Sequence, residues 1–551
     1  MSIERINSPE NSSFTHILSH ATKVSGLGLI FLSGTTPVDK TGTLVPGGIQ
    51  EHTAQCLTNL GNVLAASGSS WEKVIKVNVY LKDMDNFAAM NEVYENTLPN
   101  PKPSRTCIQA AKLPNDVDIE IEAIAATKTP VNLLTKSSKA TLVEEFVGKS
   151  LDGLRTPAMI IDRKIFSENC AKMHRKAADW GAGFRAHLKT HKTSEGARLQ
   201  LISSVDKTDR VVVSTLMEAW EVVNAGLVQD GTVKDILYGL PIPINKIADM
   251  SELWDTITVD GGIVRILLDH PDQVKYLDEF EKQRTAPKKW SAFVKIDGGQ
   301  KRAGVSTITP QFETLLTAIL QSSFVSVYGF YGHAGNSYAS TSLSEASSFL
   351  SGEVQAVNDA ADAALLVLKK LGLEAPETPF VLSVGATPTA HAASAEARAT
   401  LSTLLHGTLE LHAGNYPMLD LQQQHTTLIN KSQIAQRVRA TVISYYPGRG
   451  KDGSDEALID AGAIAFSKDT GPSGGYGDVI GKAWRVGRIS QEHGILTRTD
   501  SGPKLQLGEV VDIVGQHACL ITAAYPWYYI VDSDIENGEK IVDMWVPWKG
   551  W

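Results

Sequence analysis

Lys189 closes the run GFRAHLK (183–189), which reads as a strand, so its amine stands at a strand's C-terminal edge. A lysine held neutral there by its surroundings can form a Schiff base with a carbonyl cofactor, although a lone lysine is more often a solvated surface charge. Near the far end, GQHACLI (515–521) sets His517 and Cys519 two residues apart. On a strand both side chains face one way and can grip one ion. Imidazole with thiolate favours zinc over magnesium or manganese, although a bare H-x-C carries little weight. Ahead of both sets, Arg105 offers a guanidinium fork that suits a carboxylate. The alternation of DIEIEAIA (118–125) places Glu120 and Glu122 opposite Ile119 and Ile121.

The strand that Lys189 closes is the first of eight candidates: 183–189, 210–215, 235–240, 264–269, 292–297, 326–333, 380–385 and 409–416. Stretches with helical spacing separate them, among them TLMEAWEVVNAG (215–226), PDQVKYLDEFEKQ (271–283) and VQAVNDAADAALLVLKKLG (354–372). Strand and helix in that alternation predict a (β/α)8 barrel with its active site at the strands' C-terminal ends. SVGATPT (383–389) then offers Ser383, Gly385 and Thr387 between a strand end and a helix start, where free N–H groups favour a phosphate. Gly414 and Asn415, after the eighth strand, are natural companions, because barrel phosphate sites are often built by the last two loops. Taken alone, a Gly/Ser/Thr turn is usually just a turn.

The barrel is expected over 148–419. Residues 1–127 read as a compact α+β domain, with strands LIFLSG (29–34) and VIKVNVYL (74–81) and helices over 51–67 and 85–98. A linker is expected over 128–147, where Pro, Ser, Thr and Lys mix without a period. From 420 to 551, strands with Gly-rich turns predict an all-β domain. The 551 residues exceed a single usual core. Lys and Arg total 52 against 61 acidic residues, a net charge of −9 with no long basic run, which argues against nucleic acid as a partner. The opening MSIERINSPE lacks a signal-peptide pattern, no apolar run is long enough to span a membrane, and the 4 cysteines form no C-x-x-C. A cytoplasmic setting is expected.

RAHLKTHK (185–192) resembles the R-P-H-x-K-T-H-K motif of the eukaryotic-type D-serine dehydratase and D-threonine aldolase family, whose barrels share the alanine racemase fold and bind pyridoxal phosphate. LRTPAMIID, VKIDGGQKRAGV, YGHAGNSY, SVGATPT, ELHAGNY, SQEHG and GQHACLI resemble it in order, over roughly residues 150–540. The resemblance implies that Lys189 carries the cofactor, that Arg302 bonds its phenolic oxygen, that His333 packs on its ring and that His412 meets its ring nitrogen. It also implies zinc on His517 and Cys519, as in the dehydratases, where the aldolases have His-x-Asp and a harder ion such as manganese or magnesium. His493 matches a family segment without an evident role. The implied reaction is dehydration of D-serine to 2-aminoacrylate. The alternatives are a D-threonine aldolase-type cleavage, a 3-hydroxy-D-aspartate dehydratase and a racemase.

PSRTCIQAAKLPNDVDIEIEAIA (103–125) resembles the signature of the Rid (YjgF/UK114) family, as do FLSG, the 57–64 helix and MNEVY. A Rid/chorismate-mutase-like fold is implied, with Arg105 binding a substrate carboxylate and Glu120 positioning water for imine hydrolysis. Where the family commonly has a tyrosine, this chain has Leu18 or His20. Such a domain is expected either to hydrolyse the enamine or to serve as a binding or oligomerisation module. Rid trimers and barrel dimers together imply a homo-oligomer in multiples of six.

Overall fold

The computed structural model describes residues 3–24, 28–126, 138–399, 401, 404–472 and 474–551, in two compact units that divide between residues 137 and 138. The first unit is a sheet of β1 (Ile3–Ile6), β2 (Ala21–Val24), β3 (Leu29–Thr35), β4 (Val74–Leu81), β5 (Ser104–Gln109) and β6 (Ile119–Ala126), in the order β1-β2-β3-β6-β4-β5. Only β4 and β5 pair in parallel. Helices α1 (Ile49–Ala66) and α2 (Phe87–Thr97) cover one face, where Leu57, Leu60 and Leu64 of α1 meet Val77, Val79, Ile119 and Ile121. The strict alternation of β4 and β6 leaves Asn78, Tyr80, Glu120 and Glu122 on the other face.

The linker expectation falls partly on residues 128–137, outside the described residues; from Lys139 the chain forms α3 (Lys139–Phe146), which Ser138 caps by accepting from Thr141 N. Strand β7 (Ala158–Asp162) follows and corrects the sequence reading. It lies within the range assigned to the barrel, yet it pairs with strands after residue 435. AMIID is buried on every residue, so it needs a sheet covered on both faces, and the C-terminal sheet supplies that interior.

Eight parallel strands then close a barrel: β8 (Gly183–His187), β9 (Arg210–Val213), β10 (Asp235–Pro241), β11 (Ile263–Leu268), β12 (Trp290–Lys295), β13 (Val325–Tyr331), β14 (Phe380–Val384) and β15 (Gly407–Ala413). Its interior is apolar in part, with Val212, Leu237, Leu267, Phe293 and Val381 in one cluster. It also encloses charge. Arg185 is fully buried and bonds Glu410 at 2.8 Å and Asp235 at 2.7 Å, and Arg265 bonds the other oxygen of Asp235 at 2.6 Å. Burial opposes the Arg185 charge, but Asp235 and Glu410 together hold it protonated.

The C-terminal region contains β16 (Gln436–Tyr446), β17 (Glu456–Ile459), β18 (Gly477–Val479), β19 (Trp484–Ile489), β20 (Gly494–Arg498), β21 (Val510–Gly515), β22 (Tyr528–Val531) and β23 (Asp543–Trp545). With β7 they form one sheet, β17-β20-β19-β18-β21-β16-β7-β22-β23, and an extra β16–β17 pairing closes six strands on themselves. One continuous hydrophobic core runs from Met159 through the barrel helices to Trp548. No described helix is long and apolar enough to cross a membrane.

Candidate active site

Strand β8 ends at His187, two residues before Lys189, so the lysine stands on the loop above the barrel and not on the strand itself. That loop is held from outside the barrel. Thr522 Oγ1 donates to Thr190 O at 2.7 Å, Tyr528 OH to His191 O at 3.2 Å, and Trp548 N to Lys192 O at 2.7 Å. Each bond satisfies a carbonyl that a bare loop would leave to water. Lys189 shares a cavity with His187, Lys295, Arg302, Tyr331 and His333. Gly414 leaves room for its stem, since a Cβ there would stand 3.5 Å from Lys189 Cε and 3.2 Å from His187 Cβ.

His517 and Cys519 do not lie on a strand, contrary to the sequence expectation. Strand β21 stops at Gly515, His517 is the N-cap of a helix over Ala518–Ala524, and Cys519 lies in its first turn. The chain leaves the sheet there because Asp420 Oδ2 accepts from Ala518 N at 2.8 Å. The two side chains nevertheless act on each other electrostatically. Against the cost of burial, His517 draws the Cys519 thiol below its usual range and Cys519 raises His517 to about 9. Imidazole nitrogen beside thiol sulfur is a donor set that suits a soft divalent ion. Asp469 Oδ2 lies 3.1 Å from His517 Nδ1 and orients the ring. Among the described residues no third His, Cys, Asp or Glu completes a cluster.

The expected cofactor residues fall into three groups. Arg302 and His333 line the cavity with Lys189. His333 Nδ1 donates to Gly385 O at 2.7 Å, and burial pushes the ring down to about 3, so it is neutral. Gly385, Thr387, Gly414 and Asn415 lie at the ends of β14 and β15. Gly385 has φ +147 and its Cβ would collide with His412 O at 2.0 Å, so no other residue fits. Thr387 Oγ1 accepts from Asn415 N at 3.2 Å, and Asn415 Nδ2 donates to Asp420 at 2.6 Å. Ser383 departs from the expectation. Its hydroxyl is engaged by Glu410 at 2.9 Å and His412 at 3.0 Å inside the barrel, which leaves it no hydrogen for a phosphate.

His412 is stacked on Tyr331, with ring centroids 4.0 Å apart and an interplanar angle of 11°. Its Nε2 and Asn415 Oδ1 are buried polar atoms without protein partners. Such orphans between the lysine and the β14 and β15 loops fit a bound polar ring with a phosphate tail.

Sequence reading missed several members. Lys295 is buried in the cavity wall beside the Tyr331 ring at 4.5 Å, and burial lowers its amine to about 8, with Glu353 opposing the shift. His187, Tyr331, Thr190 and Asp469 complete the surroundings. His187 and Lys295 end inward-facing strands, a positional signal that alternation alone could have supplied. Thr190 and Asp469 had none, because their role is contact with distant segments.

In the first unit, Arg105 and Glu120 do not share a site. Arg105 pairs across from Val77 and Glu120 from Tyr80, which puts them on opposite faces of one sheet. Arg105 lies over the rings of Tyr94 and Phe87, at 4.7 and 5.6 Å, and bonds Asn91 Oδ1 at 2.5 Å. Glu120 lines a cavity of about 350 Å³ with Phe14, Leu18, His20 and Gly34. Burial raises its carboxyl above the usual range, and Glu122 adds to this. His20 is committed structurally, with Nδ1 accepting from Ser8 N at 3.0 Å and Nε2 bonded to Ser12 O at 2.9 Å.

Known proteins resemble both units of the chain. The model described as Endoribonuclease L-PSP matches residues 12–127, and that described as "Putative serine dehydratase domain" matches residues 435–531. A D-serine dehydratase of Schizosaccharomyces pombe is 44% identical over 425 residues, spanning 75% of this chain and 96% of the relative. Protein mmf2, mitochondrial, of the same organism is 54% identical over 102 residues, 18% of this chain and 80% of that protein. Among solved structures, D-threo-3-hydroxyaspartate dehydratase from Delftia sp. HT23 superposes with a TM-score of 0.60 at 26% identity, covering 73% of this chain and all of that one (100%). Fold and site therefore define an alanine racemase-like, pyridoxal phosphate-type dehydratase of D-amino acids. More narrowly, the chain belongs to the D-serine dehydratase family, extended at its N-terminus by a Rid (YjgF/UK114) domain.

Proposed function

We propose that the chain is a zinc-dependent D-serine dehydratase joined to an enamine/imine hydrolase. The observation that carries the first half is the meeting of the Lys189 loop with the Cys519 helix. Lys189 would hold pyridoxal 5'-phosphate, with Arg302, His333 and His412 around its ring and Gly385, Thr387, Gly414 and Asn415 toward its phosphate. When bound, the cofactor supplies an electron sink for the carbanion at the substrate's Cα. The amine of Lys189 removes the α-proton. A zinc ion on His517 and Cys519 would supply Lewis acidity toward a β-hydroxyl. Thr190 keeps that pair and the lysine in register. Lys295 and Arg302 set a positive field that favours a carboxylate substrate.

A second reading keeps the same chemistry with a different substrate. Arg302 and Lys295 in one cavity suit an additional carboxylate, as in D-threo-3-hydroxyaspartate. A D-threonine aldolase-type cleavage is a further alternative, and there Cys519 stands where an aspartate is expected. Assay of D-serine, D-threonine and D-threo-3-hydroxyaspartate, with and without chelator, separates them. Pyruvate from D-serine is expected; glycine and acetaldehyde from D-threonine, without pyruvate from D-serine, would overturn the reading.

In the Rid domain, Glu120 would position water for hydrolysis of 2-aminoacrylate or its imine, and Arg105 would bind the carboxylate. Since the two occupy opposite faces, one complete site needs Arg105 from a second copy of the chain. With a barrel dimer this gives a homo-oligomer in multiples of six. Leu18 and the committed ring of His20 stand where the Rid family commonly has a tyrosine, which favours a binding or assembly role as the second reading. The four free cysteines suit a cytoplasmic setting.

A further inference from the structure

Glu410 and Ser383 face each other across β14 and β15, both fully buried inside the barrel. Glu410 Oε1 accepts from Arg185 Nε at 2.8 Å and from Ser383 Oγ at 2.9 Å. Its Oε2 accepts from Arg210 at 2.9 Å and from Arg185 NH2 at 3.2 Å. Each of these four hydrogen bonds is donated to the carboxylate, by two guanidinium groups and by the serine hydroxyl.

A serine hydroxyl has one hydrogen. Glu410 takes it, and the contact between Ser383 Oγ and His412 Nδ1, 3.0 Å long, must then be filled by a hydrogen from the histidine. His412 therefore carries its hydrogen on Nδ1. The ring is neutral, because burial and the nearby His333 and Lys295 disfavour a second proton. What remains is Nε2, a bare lone pair that is buried and has no partner in the protein. The stack on Tyr331 prevents the ring from tilting away.

We propose that Ser383 and Glu410 are positioning residues that fix the tautomer of His412, so that Nε2 is an acceptor reserved for a proton on the cofactor's ring nitrogen. A buried acceptor without a partner is costly, and a protonated ring nitrogen is the donor that would relieve it. A nitrogen kept protonated draws electrons from the substrate's Cα more strongly than a neutral one. The inference rests on the reading that places the cofactor ring beside His412.

The tautomer can be measured without cofactor, so this test does not depend on that reading. In full-length protein labelled with 15N-histidine, the signal lost in His412→Gln identifies His412. Wild type and Ser383→Thr are expected to show protonated Nδ1 and unprotonated Nε2, whereas Ser383→Ala should show mixed tautomers. A wild-type signal with Nε2 protonated, or an unchanged tautomer in Ser383→Ala, would overturn the proposal. The second measurement is binding of pyridoxal 5'-phosphate against its 1-deaza analogue, which lacks the ring nitrogen. Wild type should prefer the natural cofactor about tenfold, equal to about 1.4 kcal/mol, and Ser383→Ala should lose most of that preference. Equal binding of both compounds by wild type, with the Nδ1-protonated tautomer present, would sink the placement of the ring while leaving the tautomer relay intact. If Ser383→Ala kept the full preference, the relay would have no bearing on the cofactor.

Discussion

The hydroxyl of Thr190 lies 3.1 Å from the sulfur of Cys519, although 329 residues separate them. Thr190 follows Lys189 on the loop above the barrel, and Cys519 is in the first turn of the helix after β21. One contact thus joins the loop of the amine proposed to handle the α-proton to the cysteine proposed to bind the metal. Dehydration needs both events on adjacent carbons of one small substrate, and a misplacement of about 1 Å can cost about a hundredfold in rate.

Lys189→Ala should lose the visible absorbance of the lysine-bound cofactor and reduce D-serine turnover by at least about 10⁴-fold, from removal of the proton-transfer group together with the covalent anchor. Unfolding measured without cofactor should be nearly unchanged. Normal absorbance in the variant would move the anchor elsewhere.

Cys519→Ala should lower zinc content, measured by metal analysis, and reduce dehydration about a hundredfold or more. Chelation should produce the same loss in the native chain, with recovery on adding zinc. Thr190→Val should keep the metal while slowing turnover, because only the link between loop and helix is removed. Full activity after metal removal would exclude the zinc role.

Glu353 supplies a test by pH. Burial pushes its carboxyl from 4.5 to about 7, and its Oε1 accepts from Ala334 N. Below the lower value the group is neutral in both folded and unfolded chains, so native protein and Glu353→Gln should be equally stable. Between the two values the unfolded chain ionises while the folded one keeps its proton, and native protein loses stability. Above about pH 7 the variant should be more stable by about 3 kcal/mol, read from denaturant unfolding of cofactor-free protein. A constant difference across pH would refute this.

Arg105→Ala and Glu120→Ala chains should each leave 2-aminoacrylate longer-lived, detected by trapping or by inactivation of a second pyridoxal phosphate enzyme. Mixed oligomers of the two variants should regain part of the activity, because one intact site can form from Arg105 of one copy and Glu120 of another. An unchanged lifetime in both single variants would favour the binding role for this domain.

Much of the architecture was legible because it is written in local patterns. Alternation marked all eight barrel strands, yet Lys189, His333, Gly385, Gly414 and Asn415 fall just beyond the hydrogen-bonded ends. Apolar periodicity continues past the last ladder bond, so the expected end overruns the strand by one to three residues in every case but β10. The β7 segment misled for a related reason: a continuous apolar run says that both faces are covered, not which sheet covers them.

By itself, the sequence determined the division into an α+β domain, a barrel and a β region, and the residue types at the strand ends, since periodicity and motif order are properties of neighbours along the chain. Tertiary structure decided which groups share a site and which are already spent. Ser383 sits in a phosphate-like turn but gives its only hydrogen to Glu410, and Arg105 and Glu120 belong to one motif but to opposite faces of one sheet. Hydrogen-bond capacity is finite and sheet faces are exclusive, and both constraints act only once distant segments are in contact.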